Sequence, residues 1–497
     1  MEVLRQPIIF GSVVAYMALC IAVGLWALRR TSSTRDFFMA GRNLGVMITG
    51  IAIFSSTMSG FGFVGGPGLV YALGMSSVWI VISTSVGHTL TAFLLGKRLR
   101  LFAGLADSVS LPDAVAVRYG NETARLLTAV AILLGVMGYL ATQILAMATV
   151  LQSILRDVSL FAGISLAACV ALATSVLVFY CVTGGIVASV YTDLVQGTIM
   201  AVAGVLVFLT TLSVVDGGLA GTTTLIMTDD PEAMSPWGTL GMLGCLSWYF
   251  MFSVGCAGQP HILTKNMMLK RPRDYRFIPL VTIVGYLLTA LLWIGIGLAM
   301  RALVIQGTHP ALATADAAAP QFLQHYAHPL LAGVVFAGLF AAIMSTADGF
   351  LNIGAAALAH DIPRAFKRSL KRELLWARTG TILLAVAAAL FALYSHYENQ
   401  RLVALLGAFG WGTFGAALVP AVAIGFNWKR ATPLAATVAI ASSLIVNFAI
   451  ELFDISIPHG IHGGSVALLV SLLLFFVISF ASPSPRLPRE IEAVMEL

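Results

Sequence analysis

Long apolar stretches run through most of this chain of 497 residues. A helix that crosses a membrane needs about 20 consecutive, mostly apolar residues. Thirteen stretches meet that length, at 7–28, 43–74, 76–97, 122–151, 160–182, 189–215, 236–262, 276–303, 329–358, 374–396, 401–427, 432–452 and 463–482. Only 10% of the residues are charged, against about 25% in a soluble domain. The pattern predicts an all-α polytopic membrane protein of about thirteen helices in a lipid bilayer, and it excludes soluble and disordered classes.

Basic residues are distributed unevenly between the two sets of alternate loops. Of the 28 lysines and arginines, 24 fall in one set. Because cytoplasmic loops carry the excess of basic residues, this predicts a cell-membrane protein with its N-terminus outside and its C-terminus in the cytoplasm. The net charge of +6 is small, and these residues lie where a membrane places them. No nucleic-acid partner is expected, and no obligatory protein partner is indicated.

Catalytic signatures are absent from the sequence. No nucleotide-binding motif occurs, and no cluster of His, Asp and Glu lies inside the predicted spans. The longest polar connections have about twenty residues, which is too short for a catalytic domain. We therefore expect a protein that is not an enzyme.

Two predicted spans are rich in helix-breaking residues. The second has five glycines and a proline between Ser55 and Gly68, and the seventh has Gly255, Gly258 and Pro260. Glycine and proline are costly inside a helix, and interrupted helix is tolerated in a bilayer only where it lines a cavity. Freed carbonyls at such a break can hold a cation, and half-helix N-termini can hold an anionic group. The two spans therefore predict a binding centre.

The broken helices also predict how the chain is organised, because they are five spans apart and an odd offset gives two halves of opposite topology. We expect an N-terminal helix and loop, two five-helix repeats, two C-terminal helices and a tail. These parts cover residues 1–42, 43–215, 236–427, 432–452 with 463–482 (together 432–482), and 483–497.

Polar groups inside the remaining spans suggest how an ion is held. Ser345 and Thr346 are adjacent hydroxyls in the ninth span. With a freed carbonyl of that helix and carbonyls of a broken helix, they offer the oxygens that a monovalent cation needs. The alternative is that each hydroxyl bonds to a carbonyl of its own preceding turn. Asp193 and Asp348 are intramembrane acids, which are expensive to bury. They either belong to an ion path or act as interfacial caps or partners of loop arginines.

Six short motifs occur in order along these spans. They are Asp36–Arg42, Met58–Gly60, Gly184-Gly185 followed by Thr192-Asp193 and Gln196, Gly258–His261, Met344–Thr346, and Trp411–Ala417. Together they resemble the sodium:solute symporter family, and its proline-symporter branch in particular. The resemblance implies a LeuT-type inverted repeat, sodium as the coupling ion, and alternating access.

The same resemblance implies specific ion ligands. The family's main sodium site maps onto the main-chain oxygens of Ser55, Met58 and Ala342 and the hydroxyls of Ser345 and Thr346. Asp193 matches a family position on the sodium path or in an additional sodium site, which leaves Asp193 and Asp348 as candidates for an ion path or second cation site.

Two departures from the proline symporters concern the site. Thr57 stands where those proteins have an aspartate, which implies a different sodium affinity or different electrostatics at the ion site. Phe252 and Cys256 stand where they have tryptophan and tyrosine for the substrate, and this difference weakens the case for proline. No buried Arg or Lys is expected near the midplane. A cargo carboxylate would therefore depend on a half-helix N-terminus.

The cargo pocket is expected between the two breaks and span eleven. Its candidate lining residues are Thr57, Ser59, Phe61, Gln143, Phe252, Ser253, Cys256, Trp411 and Thr413. The sequence thus predicts a sodium-coupled symporter that imports a small organic solute, either an amino acid or a small monocarboxylate. Two alternatives remain open. One is a proton-coupled symporter of the same fold, and the other is a transporter-like ligand sensor without net flux, against which the short tail argues.

Overall fold

A computed structural model describes residues 2–28, 34–105, 107–156, 158, 161–399 and 403–496. In this part of the chain the only strand-like pairing is one parallel bridge between Leu44 and Leu269. Eleven helices within it are long and apolar enough to cross a membrane. One of them, Val46–Leu105, has 60 residues and covers two predicted stretches. The all-α polytopic class is confirmed.

The helices range from single turns to continuous helices that are longer than a bilayer is thick. In chain order they are α1 Glu2–Leu28, α2 Thr34–Met39, α3 Val46–Gly60, α4 Gly66–Leu73, α5 Trp79–Thr91, α6 Lys97–Leu105, α7 Leu111–Tyr119, α8 Glu122–Arg156, α9 Leu166–Val214, α10 Gly218–Asp229, α11 Gly241–Gly255, α12 Pro260–Met267, α13 Ile278–Ile305, α14 Ala318–His325, α15 Pro329–Ala356, α16 Ile362–Ala365, α17 Glu373–Tyr394, α18 Val403–Leu418, α19 Pro433–Leu452, α20 Gly463–Ala481 and α21 Arg489–Glu496.

The first predicted break lies between α3 and α4. Ser59, in the last turn of α3, has φ 36° and ψ −173°, a conformation that L-residues rarely adopt and that costs about 1–3 kcal/mol. A π-helical turn, Phe61–Gly65, follows, and α4 ends at Gly74 with φ 64°. The interruption expected from the glycines is confirmed, and it falls in the middle of the second predicted span.

The second predicted break lies between α11 and α12. A short 3-10 turn, Cys256–Gly258, follows α11, and Gln259 is extended with ψ 111°. Pro260 then begins α12, where its missing N–H costs nothing because first-turn amides have no partner inside the helix. This interruption is confirmed as well.

One helix, α9, carries the fifth and sixth predicted spans without a loop between them. It changes direction at Gly185, which has φ 56°. A Cβ atom at that position would come within 2.7 Å of Phe37 Cδ2, so glycine is required for the backbone angle and the close packing. The first residue of the fifth predicted stretch and the first two of the eleventh lie outside the described residues.

The core is built around α15, which packs against α3, α8, α9 and α17. All residues from Gly338 to Ala356 are buried, and a helix that is apolar on every side is expected to be surrounded by others. The hydroxyls of Ser345 and Thr346 therefore lie in the interior, facing the first broken helix.

Main-chain hydrogen bonds also join the segments that flank the two broken helices. Leu44 N donates to Met268 O over 3.2 Å, and Lys270 N donates to Leu44 O over 2.9 Å.

Candidate cation and cargo site

The break in α3 releases main-chain groups toward two neighbouring helices. In an unbroken helix the amide of Gly60 would meet the carbonyl of Ser56. Here Gly60 N donates to Gln143 Oε1 of α8 over 2.8 Å, and Ser56 O accepts from Thr346 Oγ1 of α15 over 2.8 Å. One turn of α3 therefore contacts α15 on one side and α8 on the other.

Hydroxyl and carbonyl oxygens meet where α3 crosses α15. Ser55 Oγ lies 3.4 Å from Ser345 Oγ, and Thr346 Oγ1 lies 3.1 Å from Ala342 O. Met58 lies on the same buried turn of α3. Neutral hard oxygens of this kind suit a monovalent cation such as sodium. The residues present therefore fit the predicted ion: the side chains of Ser55 and Ser345 meet between α3 and α15, and Thr346 contacts Ala342 O within α15 and Ser56 O of α3.

Asp193 forms a buried ion pair with Lys265, whereas the pairing considered from the sequence was with a loop arginine. Lys265 Nζ lies 2.9 Å from Asp193 Oδ2, with side-chain exposures of 1% and 0%. The same ammonium donates to Ala52 O of α3 over 3.0 Å, and the side chain of Ser345 lies beside the Asp193 carboxylate. The ion path role of Asp193 stays a prediction, but its partner is a lysine of the second broken helix.

The burial of Lys265 corrects one expectation from the sequence. Lys265 belongs to the set of 24 basic residues that the sequence assigns to cytoplasmic loops, outside the predicted spans. Helix α12 continues to Met267, beyond the predicted end of the span at residue 262. This extra turn carries Lys265 into the helix bundle. Arg118 of the same basic set is also buried, and it donates to Gly425 O over 2.8 Å.

Asp348 lies on the other face of α15. Its Oδ1 accepts a hydrogen bond from Ser189 Oγ of α9 over 2.7 Å, and Asp348 is fully buried. It therefore lies at the α9–α15 contact, inside the helix bundle. Its place in an ion path stays a prediction.

Aromatic rings surround the other side of the break. The ring of Phe61 stacks on Phe252 with centroids 6.0 Å apart and meets Trp293 edge-on at 5.6 Å. Phe252 in turn lies 5.4 Å from Trp411. Three of the predicted cargo residues thus form one cluster, which Trp293 of α13 completes.

Buried N–H groups without partners lie around this cluster. Gln143 Nε2, Trp293 Nε1 and Trp411 Nε1 have no hydrogen-bond partner within the described residues. Leaving such a donor unpaired costs about 1–3 kcal/mol. All three are neutral donors, and a carboxylate or carbonyl oxygen of a cargo molecule would satisfy them.

The other predicted pocket residues have partners within their own helix or on a neighbouring helix. Thr57 Oγ1 donates to Ile53 O over 2.8 Å, and Ser253 Oγ donates to Tyr249 O over 2.5 Å. Cys256 Sγ lies 4.0 Å from His88 Nδ1 of α5, while Thr413 Oγ1 accepts from Asn447 Nδ2 of α19 over 2.7 Å. Ser59 Oγ accepts from Phe61 N over 3.1 Å. Of these five residues, only Ser59 has one of these hydrogen bonds to a residue of the aromatic cluster, through the main-chain amide of Phe61.

Trp293 and Tyr139 were missed by the sequence reasoning. Tyr139 OH lies 3.5 Å from Ser59 Oγ. A Cβ atom at Gly66 would come within 2.2 Å of Trp293 Cδ2, and one at Gly62 within 3.1 Å of Trp293 Nε1. Gly62 and Gly66 are four residues apart and share a helix face, which is the one sequence signal that a large side chain packs there.

A separate charged cluster joins α7, α8 and the end of α15 at the predicted cytoplasmic side. His360 Nε2 lies 2.9 Å from Asp113 Oδ2, the other ring nitrogen contacts Glu373, and Arg125 contacts the second oxygen of Asp113. Burial raises the pKa of Asp113, but the hydrogen bond and charge of His360 and the charge of Arg125 outweigh it, so this pKa is lowered. Both ring nitrogens are occupied by carboxylates, so the cluster is an ion-pair network.

Solved structures define the fold class. A substrate-bound, outward-open structure of a sodium-coupled sialic acid symporter aligns over 97% of this chain and 99% of its own, with TM-score 0.76 and 20% identity. A closed structure of Mhp1, a nucleobase-cation-symport-1 family transporter, aligns over 93% and 98%, with TM-score 0.58 and 14% identity. The chain therefore has the LeuT-type fold of these transporters, in agreement with its two broken helices.

The family follows from the sequence comparisons. The model of the sodium:solute symporter family matches residues 37–443. This chain therefore belongs to that family. The osmoregulated proline transporter OpuE of Bacillus subtilis is 28% identical over 87% of each chain. The high-affinity proline transporter PutP of the same organism is 28% identical over 86% of this chain and 89% of its own. The predicted resemblance is confirmed, and with it sodium-coupled symport of a small organic solute.

Proposed function

We propose that this chain imports a small carboxylate-bearing solute, an amino acid or a monocarboxylate, together with sodium across the cell membrane by alternating access. The observation that carries the cargo class is the set of three buried, unpartnered N–H donors around the aromatic cluster, on Gln143, Trp293 and Trp411. Neutral N–H groups in a dry site bind a carboxylate without a fixed positive charge. The named cargoes of the relatives, proline and sialic acid, are both carboxylic acids.

In this proposal sodium binds between α3 and α15. Its ligands are the main-chain oxygens of Ser55, Met58 and Ala342 and the hydroxyls of Ser345 and Thr346. Bound sodium would hold the two helices together at the broken turn. That turn also presents Gly60 N to Gln143, a cargo residue. Sodium binding therefore favours the pocket geometry that the cargo needs, which is the coupling that symport requires.

The aromatic cluster selects the apolar part of the cargo. The ring centroid of Phe61 lies 6.0 Å from that of Phe252 and 5.6 Å from that of Trp293, and these rings present faces and edges to the pocket. A flat or ring-shaped apolar body fits between such surfaces better than a long charged chain. Phe61, Phe252, Gln143, Trp293 and Trp411 are therefore the cargo residues of this proposal, and Thr57, Ser59, Ser253, Cys256 and Thr413 support the helices that carry them.

The test begins with ligand-induced stabilisation. Purified protein is heated with single amino acids and small monocarboxylates, with sodium and with potassium in its place. We expect one carboxylate class to raise the melting temperature in sodium only, because a ligand that binds the folded state stabilises it. That cargo is then used for uptake into proteoliposomes with an inward sodium gradient.

The outcomes separate the candidate functions. Uptake that needs the inward sodium gradient supports the proposal. Uptake that is unchanged in potassium and follows a proton gradient refutes sodium coupling and favours the proton-coupled alternative. Stabilisation by a cargo without any uptake refutes transport and favours the ligand sensor.

A further inference from the structure

We propose that Lys265 is a built-in cation that fills a second cation position, so that this transporter binds a single sodium ion at the α3–α15 site. The inference rests on the proposed sodium coupling and extends it to the number of ions. It concerns the position formed by the Asp193 carboxylate and the Ala52 carbonyl.

The position has the oxygen ligands of a cation site. Asp193 Oδ2 and Ala52 O lie 2.9 Å and 3.0 Å from Lys265 Nζ, and they come from two different helices, α9 and α3. A carboxylate and a main-chain carbonyl are the ligand types that hard cations prefer. The lysine ammonium is a compact point charge on a flexible stem, so it occupies the space and supplies the charge of a bound ion.

The position is also buried. Lys265 is 1% exposed and Asp193 is 0% exposed, so the ammonium and the carboxylate are shielded from solvent and face each other. Removing one partner of a buried ion pair leaves an uncompensated charge, which is strongly unfavourable. A variant without the ammonium therefore has a strong reason to take up a cation from solution at Asp193.

The two positions are neighbours through Ser345. Its hydroxyl lies 3.4 Å from Ser55 Oγ in the proposed sodium site, and its side chain lies beside the Asp193 carboxylate. A second sodium ion would thus face the first across one side chain. The tethered ammonium already neutralises Asp193, which leaves only the neutral oxygen site for sodium.

The experiment counts bound sodium, and it needs no cargo. Equilibrium binding of radiolabelled sodium to the purified full chain is expected to saturate at one ion per molecule in the wild type and at two in Lys265→Met. The control Lys429→Met removes an exposed lysine that pairs with Glu492 and Glu496, and it should keep one ion. A further variant, Asp193→Asn with Lys265→Met, removes both charges and is expected to keep its fold and bind one ion.

Each outcome has a distinct meaning. Two ions in the wild type overturn the inference and leave sodium coupling intact. One ion in Lys265→Met, with the protein folded, also overturns it. If Lys265→Met does not fold, loss of sodium binding in the folded double variant overturns it, because Asp193 is then itself a required sodium ligand. An absence of sodium binding in the wild type refutes the proposed function instead.

Discussion

The hydroxyl of Thr346 donates to the main-chain carbonyl of Ser56 over 2.8 Å and so joins α15 to the broken end of α3. Four residues further along, Gly60 N donates to Gln143 Oε1. The proposed ion side and the proposed cargo side of the site are therefore separated by one turn of main chain. We expect a change in the proposed ion site to reach the proposed cargo residues without passing through any intermediate helix.

The first prediction concerns the ion site. Thr346→Val keeps the side-chain shape but removes one oxygen. Loss of one such ligand is worth about 1–2 kcal/mol, so we expect the sodium concentration for half-maximal uptake to rise about tenfold. Uptake at varied sodium in proteoliposomes measures this. Thr381→Val is the matched control, because Thr381 is equally buried and donates to Ala377 O of its own helix. An unchanged sodium dependence in Thr346→Val would remove Thr346 from the ion site.

The second prediction concerns the donors of the cargo pocket. Trp411→Phe keeps an aromatic ring beside Phe252 and removes the buried N–H. A lost hydrogen bond to a charged cargo oxygen is worth about 1.5–3 kcal/mol, so the cargo KM should rise at least tenfold while sodium binding is kept. The control Trp376→Phe changes a tryptophan that is 54% exposed on α17. Equal cargo KM values in both variants contradict the proposed role of Trp411.

The third prediction uses the close contact between α4 and α13. Gly66→Ala places a methyl group within 2.2 Å of Trp293 Cδ2, so α4 and the indole must move apart, and we expect the contact between Trp293 and Phe61 to change. Cargo-induced stabilisation should be lost, whereas sodium binding at the α3–α15 site should persist. In Gly349→Ala the new methyl group meets nothing within 4 Å, and cargo binding should remain. Full cargo binding by Gly66→Ala would show that Trp293 does not shape the pocket.

The fourth prediction concerns the charged cluster around Asp113. Asp113→Asn leaves Arg125 and His360 without their shared carboxylate, and breaking a buried pair costs about 3 kcal/mol. We expect a lower melting temperature, but little loss in Glu122→Gln, whose carboxyl is 45% exposed. Because the pKa of Asp113 is lowered from 3.8, its stabilisation is present above that pH and is lost as the pH falls further. The difference between wild type and Asp113→Asn should therefore shrink below about pH 4, and a constant difference would contradict the sign.

The fifth prediction concerns orientation. Thr308 lies in a predicted outer loop and Ser484 in the predicted cytoplasmic tail, and both side chains are exposed. A membrane-impermeant maleimide should label Thr308→Cys in intact cells and Ser484→Cys only after permeabilisation. The unmodified chain gives the background. The opposite pattern would reverse the orientation that the basic residues predict.

Local sequence signals were sufficient for the parts of the site that depend on the backbone. The glycines and proline between Ser55 and Gly68 predict a break because they destabilise the helix that contains them, and the structure has that break at Ser59. The adjacent hydroxyls of Ser345 and Thr346 can also be recognised locally, because they are polar residues in an otherwise apolar helix. Both features can be recognised without knowing which helix packs against which.

Contacts between distant helices could not be predicted in this way. Lys265 lies one turn from a predicted helix end, and whether that turn enters the bundle depends on Asp193 being opposite it. Trp293 belongs to an unbroken apolar helix, where nothing local distinguishes it from a lipid-facing tryptophan. In both cases the partner is more than 70 residues away in the chain, and only the packing of α9, α12 and α13 brings the groups together.

The bridge at Leu44 has a mechanical consequence. Its two main-chain hydrogen bonds tie the residue two positions before α3 to the segment just after α12. The bridge therefore links the start of the first broken helix to the end of the second through main chain. We expect a tilt of α3 to move α12, and with it Lys265, and we expect every substitution at these positions except proline to keep the hydrogen bonds that form this link.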